Sequence, residues 1–325
     1  MGILVTGAAG FVGFHVANAL LARGETVVGV DNLNTYYDVR LKEARLARLE
    51  DQPGFRFFRA DIANLAAMRG VLEAASHIDR VVHLAAQAGV RYSMEAPFDY
   101  AASNLLGHLV VLELCRNMNG LRHLVYASSS SVYGANTRLP FAETDRVDTP
   151  LSLYAATKRA DELMSHAYGH LYGIPQTGLR FFTVYGPWGR PDMAYFSFAR
   201  AIVEGRPITV YDGGTLRRDF TYVDDIVAGV VGCLDRPPSA GVPGRILNIG
   251  NHRSESVADL IAILERSLGR KALIREMPRP ASDVVETCAS ISEISELTGF
   301  FPRTSLSEGI PRFVDWFTVW NAGTV

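Results

Sequence analysis

Strand-length apolar runs separated by helix-length amphipathic stretches occupy the first 180 residues, and no other feature narrows the fold so far. The runs at 3–6, 26–30, 55–59, 80–84, 123–128 and 176–180 are bounded by turn or polar residues and read as strands. Helical patterns fill the gaps at 13–23, 40–50, 65–75, 97–118 and 153–172. Strands that alternate with helices specify βαβ units, whose right-handed crossovers build a parallel sheet covered on both faces. The expected fold class is therefore α/β, a Rossmann-type doubly wound parallel sheet. After Gly186 the texture changes: Pro187, Gly189, Pro191, Pro207, Gly213 and Gly214 punctuate shorter elements. That half reads as a smaller C-terminal substrate lobe, with a helix at 224–234 and a strand at 245–249 that returns to the main sheet.

Charge and cysteine content then exclude several function classes. Lys plus Arg is 32 and Asp plus Glu is 34, a net charge of -2, so no bulk field draws the chain to nucleic acid or to an anionic membrane. Any phosphate must be held by a local site. Three cysteines (Cys115, Cys233, Cys288) show no ligand spacing, which argues against a metal site and a disulfide scaffold and suits a reducing cytoplasm. No apolar run reaches membrane-spanning length, and no basic segment precedes an apolar stretch at the start. Met1-Gly2 with Thr6 matches a myristoylation pattern, but a buried strand accounts for the same residues.

Gly7, Gly10 and Gly13 lie between the first strand and the first helix in Gly7-Ala8-Ala9-Gly10-Phe11-Val12-Gly13. Glycines there let backbone amides approach a pyrophosphate at a helix N-terminus, where the dipole favours anions. A glycine triplet alone also fits a plain strand-to-helix turn. Asp31, 24 residues after Gly7 at the end of the second strand, adds a carboxylate able to accept from adenosine ribose hydroxyls and to repel a 2′-phosphate. NAD is thus favoured over NADP. Asp61, read at the end of the third strand, is a candidate adenine contact, and Leu84, Ala85 and Ala86 supply small residues beside the cofactor. Phe11, Val12, Asn32 and Ile62 complete the expected cofactor set. Residues 1–186, rejoined by 221–249, form the expected NAD-binding domain; 187–220 and 250–325 form the lobe for the other ligand.

Tyr154 and Lys158 are four apart within a helical pattern and project from one face. A phenol is a poor base at neutral pH, and an adjacent ammonium favours its phenolate. Upstream, the strand at 123–128 ends in Ser129, Ser130 and Ser131, at the sheet edge where open α/β folds bind ligands. Ser129 is placed to hydrogen-bond the reacting oxygen.

Together these residues resemble the extended short-chain dehydrogenase/reductases that act on nucleotide sugars. The resemblance covers essentially the whole chain and includes Tyr185-Gly186-Pro187 and the run from Arg218 to Asp225. The segments from Gln87 to Ser93 and from Arg180 to Ala194 are most similar to UDP-glucuronate 4-epimerases. The resemblance implies an NAD-dependent inversion of C4 through a transient 4-keto sugar, taking UDP-glucuronate to UDP-galacturonate. Tyr154 would act as base and then acid, Lys158 would tune it and hold the nicotinamide ribose, and Ser129 would orient the hydroxyl. Ser130, Ser131, Thr183 and Arg190 are the candidates to hold the uronic carboxylate. Arg218 is implied at the diphosphate, with Arg91 as a second contact. Arg279 and Asp283 are candidate nucleotide contacts, although Arg279-Pro280-Ala281-Ser282-Asp283 lacks the glycine that such relatives often carry. A homodimer built on the 97–118 and 153–172 helices is also implied. A 4,6-dehydratase is disfavoured because Ser130-Ser131 stand where those enzymes carry Asp-Glu. UDP-glucose 4-epimerase, UDP-glucuronate decarboxylase and a non-catalytic NAD-binding protein remain as alternatives.

Overall fold

The computed structural model describes residues 2–75, 77–239, 241, 244–280 and 283–323. Met1 of the myristoylation pattern, Ala281 and Ser282 lie outside the described residues. Six strands follow the apolar runs: β1 Gly2–Thr6, β2 Thr26–Asp31, β3 Phe55–Arg59, β4 Ile78–His83, β5 His123–Ser129 and β6 Gln176–Phe181. A seventh, Arg245–Ile249, pairs in parallel with β6, Arg245 opposite Thr177 and Ile249 opposite Phe181. The sheet order is Arg245–Ile249, β6, β5, β4, β1, β2, β3, with every pairing parallel. The chain runs outward from β1 to β3 and then crosses back to β4. A crevice opens where the strand order reverses, and there an open α/β sheet binds its ligand.

Burial on both faces explains why the central runs carry no polar alternation: every position of β1 and β4 is buried. The polar side chains of β4 are tolerated because they are paired. Arg80 donates to both Glu25 oxygens at 3.2 and 2.8 Å, and His83 Nδ1 lies 2.7 Å from Thr6 Oγ1. Helices α1 Phe11–Ala22, α2 Val39–Glu50 and α3 Leu65–Ala74 cover the sheet. The Leu153–Tyr172 helix begins where Ser152 Oγ accepts from Ala155 N at 3.1 Å and ends at left-handed Gly173.

Three local expectations need correction. The 97–118 stretch is not one α-helix: a π-helical turn, Ala101–Leu106, separates Pro97–Tyr100 from Gly107–Asn117. Asn104, fully buried in that turn, accepts from Gln87 N at 2.8 Å and donates to Gln87 O and Thr157 Oγ1, each at 3.0 Å, so a tertiary demand accompanies the widened turn. The fourth strand covers Ile78–His83 instead of 80–84, so Leu84 already lies beyond the sheet edge. β3 stops at Arg59, which puts Asp61 in the following loop, where its Oδ1 accepts from Ala63 N at 2.8 Å.

The second half adds the helices Ala194–Glu204, Val257–Leu268 and Leu306–Asn321. It also adds the parallel pairs Thr183–Tyr185 with Phe220–Tyr222 and Pro207–Tyr211 with Leu273–Met277. Most of its apolar residues join the core of the first half, with Phe196, Phe313 and Phe317 in the same buried cluster as Ile3, Val5 and Val125, while Ala201, Ile208, Val210 and Ile261 form a small cluster of their own. Close packing across that shared core fixes the two walls of the crevice relative to each other. Asp219 ties the second wall together, accepting from Asn251 N at 2.6 Å, Ala289 N at 2.9 Å and Thr221 Oγ1 at 3.0 Å.

Candidate active site

A cleft of about 460 Å3 follows the C-terminal edge of the sheet and is lined from both halves of the chain. Its first wall is the glycine loop. Gly7 has φ +72° and sits so close to the 84–86 segment that a Cβ would come 2.8 Å from Ala85 N. A Cβ on Gly13 would lie 2.7 Å from the Gly7 carbonyl carbon, so only glycine lets the helix pack on the loop. α1 starts at Gly10 with no side-chain cap and no acidic residue in its first turn. Its N–H groups and dipole are therefore left for an anion.

Beyond the loop, Asp31 closes β2 with each carboxylate oxygen oriented by one backbone amide, Ala9 N at 3.1 Å and Leu33 N at 2.8 Å. Each oxygen keeps further acceptor capacity. Gly7, Gly10, Phe11, Val12, Gly13, Asp31, Asn32, Ile62, Leu84, Ala85 and Ala86 all line the cleft. A bare helix N-terminus at one end and an oriented carboxylate at the next strand fit the pyrophosphate and adenosine ribose of NAD. Asp61 does not line the cleft; it accepts from Asn32 Nδ2 at 3.0 Å and steadies that residue.

Tyr154, Lys158 and Ser129 all line the same cleft. Lys158 is buried, and its Nζ donates to Ala127 O at 2.9 Å and to Asp161 Oδ2 at 3.1 Å, leaving one of three donors for a ligand. Ser129 Oγ accepts from Ser131 N at 3.2 Å, and its own proton is available toward the cleft. Behind the triad, Glu162 accepts from Ser128 Oγ at 2.6 Å and from Arg180 Nε at 2.8 Å and Nη2 at 3.0 Å. Burial opposes the Glu162 charge, yet Arg180 overrides it and holds the carboxyl below the usual carboxylate range.

Ser130, Ser131, Thr183, Arg190, Arg218 and Asp283 line the far wall. Arg190 is held by Asp192, with Nε 3.0 Å from Oδ1 and Nη2 2.5 Å from Oδ2. Burial works against both charges, but each partner outweighs it for the other, so Asp192 stays below the usual carboxylate range. Arg218 Nη2 reaches Asp283 Oδ1 at 2.5 Å. Two expected contacts point elsewhere. Arg91 stacks 5.1 Å over the Tyr211 ring, and the Arg279 guanidinium has Nε 3.7 Å from Asp212 Oδ2 and Nη1 donating to Asp283 O; neither residue lines the cleft.

Sequence reasoning missed Asn34, Tyr36, Lys42, Asn104 and Asp192. Tyr36 hydroxyl donates to Asp192 Oδ2 at 3.3 Å, and Lys42 Nζ donates to Asn34 O at 2.8 Å and Oδ1 at 2.5 Å. Burial pulls Lys42 down to about 8 against the opposing pull of Asp31. The polar run Asn32–Tyr37 directly after Asp31 was a usable signal for Asn34; the partner of Tyr36 is 156 positions away and left no local sign.

The chain is similar to known proteins along nearly its whole length. Over 328 residues the chain is 50% identical to UDP-glucuronate 4-epimerase 2 of Arabidopsis thaliana, covering 97% of this chain and 75% of that protein. It is 46% identical over 332 residues to a probable UDP-glucuronate 4-epimerase of Rhizobium meliloti, covering 98% and 97% of the two chains. The crystal structure of UDP-glucuronic acid 4-epimerase from Bacillus cereus, in complex with UDP-glucuronic acid and NAD, superposes with a TM-score of 0.90 at 36% identity, covering 98% of this chain and 100% of that one. A family model matches residues 3–250, which span the whole sheet and most of the cleft lining. With that match and those relatives, the chain belongs to the NAD dependent epimerase/dehydratase family.

Proposed function

We propose that the protein inverts C4 of UDP-glucuronate, giving UDP-galacturonate, through a transient 4-keto sugar and with NAD held throughout. The observation that carries this reading is the convergence, in one cleft, of the Tyr154–Lys158–Ser129 group with a cationic and hydroxyl wall at Arg190, Thr183, Ser130 and Ser131. Named relatives at 46–50% identity support the same sugar.

A C4–H bond is not acidic, so direct deprotonation is closed; NAD held by the glycine loop and Asp31 would supply a reversible hydride acceptor for C4. Tyr154, as phenolate, takes the proton of the 4-hydroxyl while C4 is oxidised and returns it to the alkoxide when C4 is reduced. No net oxidation results. Ser129 orients the oxygen, and the free Lys158 donor is available for the nicotinamide ribose. A 4-keto hexuronic acid is a β-keto acid that loses CO2 when its carboxylate aligns with the carbonyl π system. Arg190 and Thr183, with Ser130 and Ser131, hold the carboxylate out of that alignment. Arg218 stands for the diphosphate, its charge shared with Asp283.

In this reading residues 1–186 and 221–249 hold the cofactor, while 187–220 and 250–325 hold the nucleotide sugar. Phe98, Leu106, Leu163 and Leu171 are exposed on the 97–117 and 153–172 helices, which suits a homodimer packed through them. Among the described residues no helix is long and apolar enough to cross a membrane, and Cys115, Cys233 and Cys288 are free thiols, consistent with work in the cytoplasm.

The test is an incubation with UDP-glucuronate that resolves UDP-galacturonate, UDP-pentose and CO2. UDP-galacturonate without CO2 is expected, with Tyr154→Phe inactive; UDP-pentose would identify a decarboxylase instead.

A further inference from the structure

One buried charge beside the triad has no part in the mechanism just given. Asp161 is fully buried on the Leu153–Tyr172 helix, and its Oδ2 lies 3.1 Å from Lys158 Nζ. Its Oδ1 is buried with no hydrogen-bond partner among the described residues. An aspartate used only to neutralise a lysine would be expected to satisfy both oxygens, because an orphaned carboxylate oxygen is costly in the interior. Here the carboxylate has a single partner, and that partner is the ammonium on which the phenol depends.

We infer that Asp161 is a positioning residue that divides the charge of Lys158 between itself and Tyr154, and thereby sets the pH at which the phenol turns from acid to base. The inference rests on the reading of Tyr154 as the acid–base group. It follows from electrostatics at close range: an ammonium paired with a carboxylate presents a weaker field to a third group than an ammonium alone. The bond to Ala127 O fixes Lys158 from the strand side, so the ammonium is held between β5 and the helix while Asp161 offsets its charge.

The other groups around Asp161 do not substitute for it. Glu162, next on the helix, adds negative charge but is committed to Arg180. From β5 comes Tyr126, which is buried and neutral, its hydroxyl pushed upward by burial. From the Gly107–Asn117 helix comes His108, and from β4 comes His83; burial lowers both imidazoles, so neither is cationic near neutral pH. Lys158 is therefore the one cation in contact with Asp161 among the described residues; Tyr154 itself is also faced by Arg190 from the 187–193 loop and by the neutral Tyr100 ring at 6.1 Å, neither of which an Asp161 substitution alters. Burial lifts the Asp161 carboxyl to about 6 against the pull of Lys158, so it is ionised in the range where the enzyme would work.

Asp161→Asn keeps an oxygen for Lys158 and removes the charge; Asp161→Glu restores it. In Asp161→Asn the acid limb of the kcat/KM profile is expected to move to lower pH by about one unit, a tenfold change in the phenolate fraction at a given acid pH. Asp161→Glu is expected to return toward the parent profile. A second readout needs no substrate: the ultraviolet phenolate titration, taken as each protein minus its Tyr154→Phe counterpart, is expected to shift the same way. It would do so even if the sugar substrate had been misassigned, which separates the failure of this inference from that of the proposed function. Should the asparagine variant not fold, Asp161→Ser is smaller and uncharged and carries the same expectation. Superimposable acid limbs and phenolate titrations in parent and uncharged variant, whatever their thermal stability, would overturn it.

Discussion

Replacing Arg190 with methionine removes the cation proposed to bind the uronic carboxylate while keeping much of its apolar bulk. Two costs follow, and the structure separates them. The first is structural: Asp192 loses its bonds to Arg190 Nε and Nη2 at 3.0 and 2.5 Å and keeps the Tyr36 hydroxyl at 3.3 Å and its own backbone amide. Breaking a fully buried pair costs about 3–5 kcal/mol. These side chains are 22% and 27% exposed, so water shares the charge and we expect about 1–2 kcal/mol, a fall of a few degrees in Tm. The second cost falls on the ligand. Losing the partner of a desolvated carboxylate costs about 2–5 kcal/mol, or about 30- to 5,000-fold in affinity and kcat/KM. UDP-glucose has no carboxylate, so its dissociation constant is expected to change by less than about threefold. Calorimetric titration of parent and Arg190→Met with both nucleotide sugars, alongside kcat/KM for UDP-glucuronate, measures the difference. Equal losses for both ligands would refute the assignment and leave Arg190 as a structural brace for the 187–193 loop.

Two further outcomes follow from packing and burial. Gly13→Ala forces a methyl to within 2.7 Å of the Gly7 carbonyl carbon, so the loop must shift at a cost of about 1–3 kcal/mol, and the purified protein is expected to retain far less NAD than the parent; NAD released on denaturation measures this, and equal retention would contradict it. The buried imidazoles of His83, pushed down to about 3, and His123, down to about 4, with His108 well below its ordinary value, take up protons in the unfolded chain before the folded one. Stability is therefore complete above about pH 6.5 and falls as pH drops toward 4, by up to about 1.4 kcal/mol per histidine per unit. Asp161 and Asp219, both raised to about 6 by burial, oppose this between their unfolded values and 6, with lesser upward shifts at Glu143, Asp224 and Glu255; the deep shifts of His83, His108 and His123, with His15 also down to about 4, outweigh them. Denaturant unfolding at pH 7.5 and pH 5 is expected to show the loss, and equal stability would contradict it.

What the sequence made legible and what it hid have physical causes. β1 is buried on both faces, so its composition marks it as a central parallel strand without any tertiary knowledge, whereas Asp79, Arg80 and His83 of β4 depend on tertiary partners. Gly7 and Gly13 are read from steric necessity, and Tyr154 and Lys158 from a helical spacing that survives folding unchanged. The π-helical turn at Ala101–Leu106 accompanies the engagement of Gln87 and Thr157 by Asn104, contacts 17 and 53 residues distant. Arg91 and Arg279 had the right chemistry, but the Arg91 guanidinium stacks on Tyr211 and that of Arg279 lies between Asp212 and the Asp283 carbonyl. Their neighbour Asp283 reaches the cleft through Arg218, a pairing across 65 residues. The Tyr36–Asp192–Arg190 chain likewise joins the loop after β2 to the substrate wall, a link that no local pattern encodes.

The central claim is that the hydrogen on C4 leaves and returns as hydride without meeting solvent. Turnover of UDP-glucuronate carrying deuterium at C4, followed by mass and NMR analysis of the product, reads this directly. UDP-galacturonate that keeps its C4 deuterium, with no CO2 released and no NAD consumed, is the expected result. Deuterium lost to water would contradict the account.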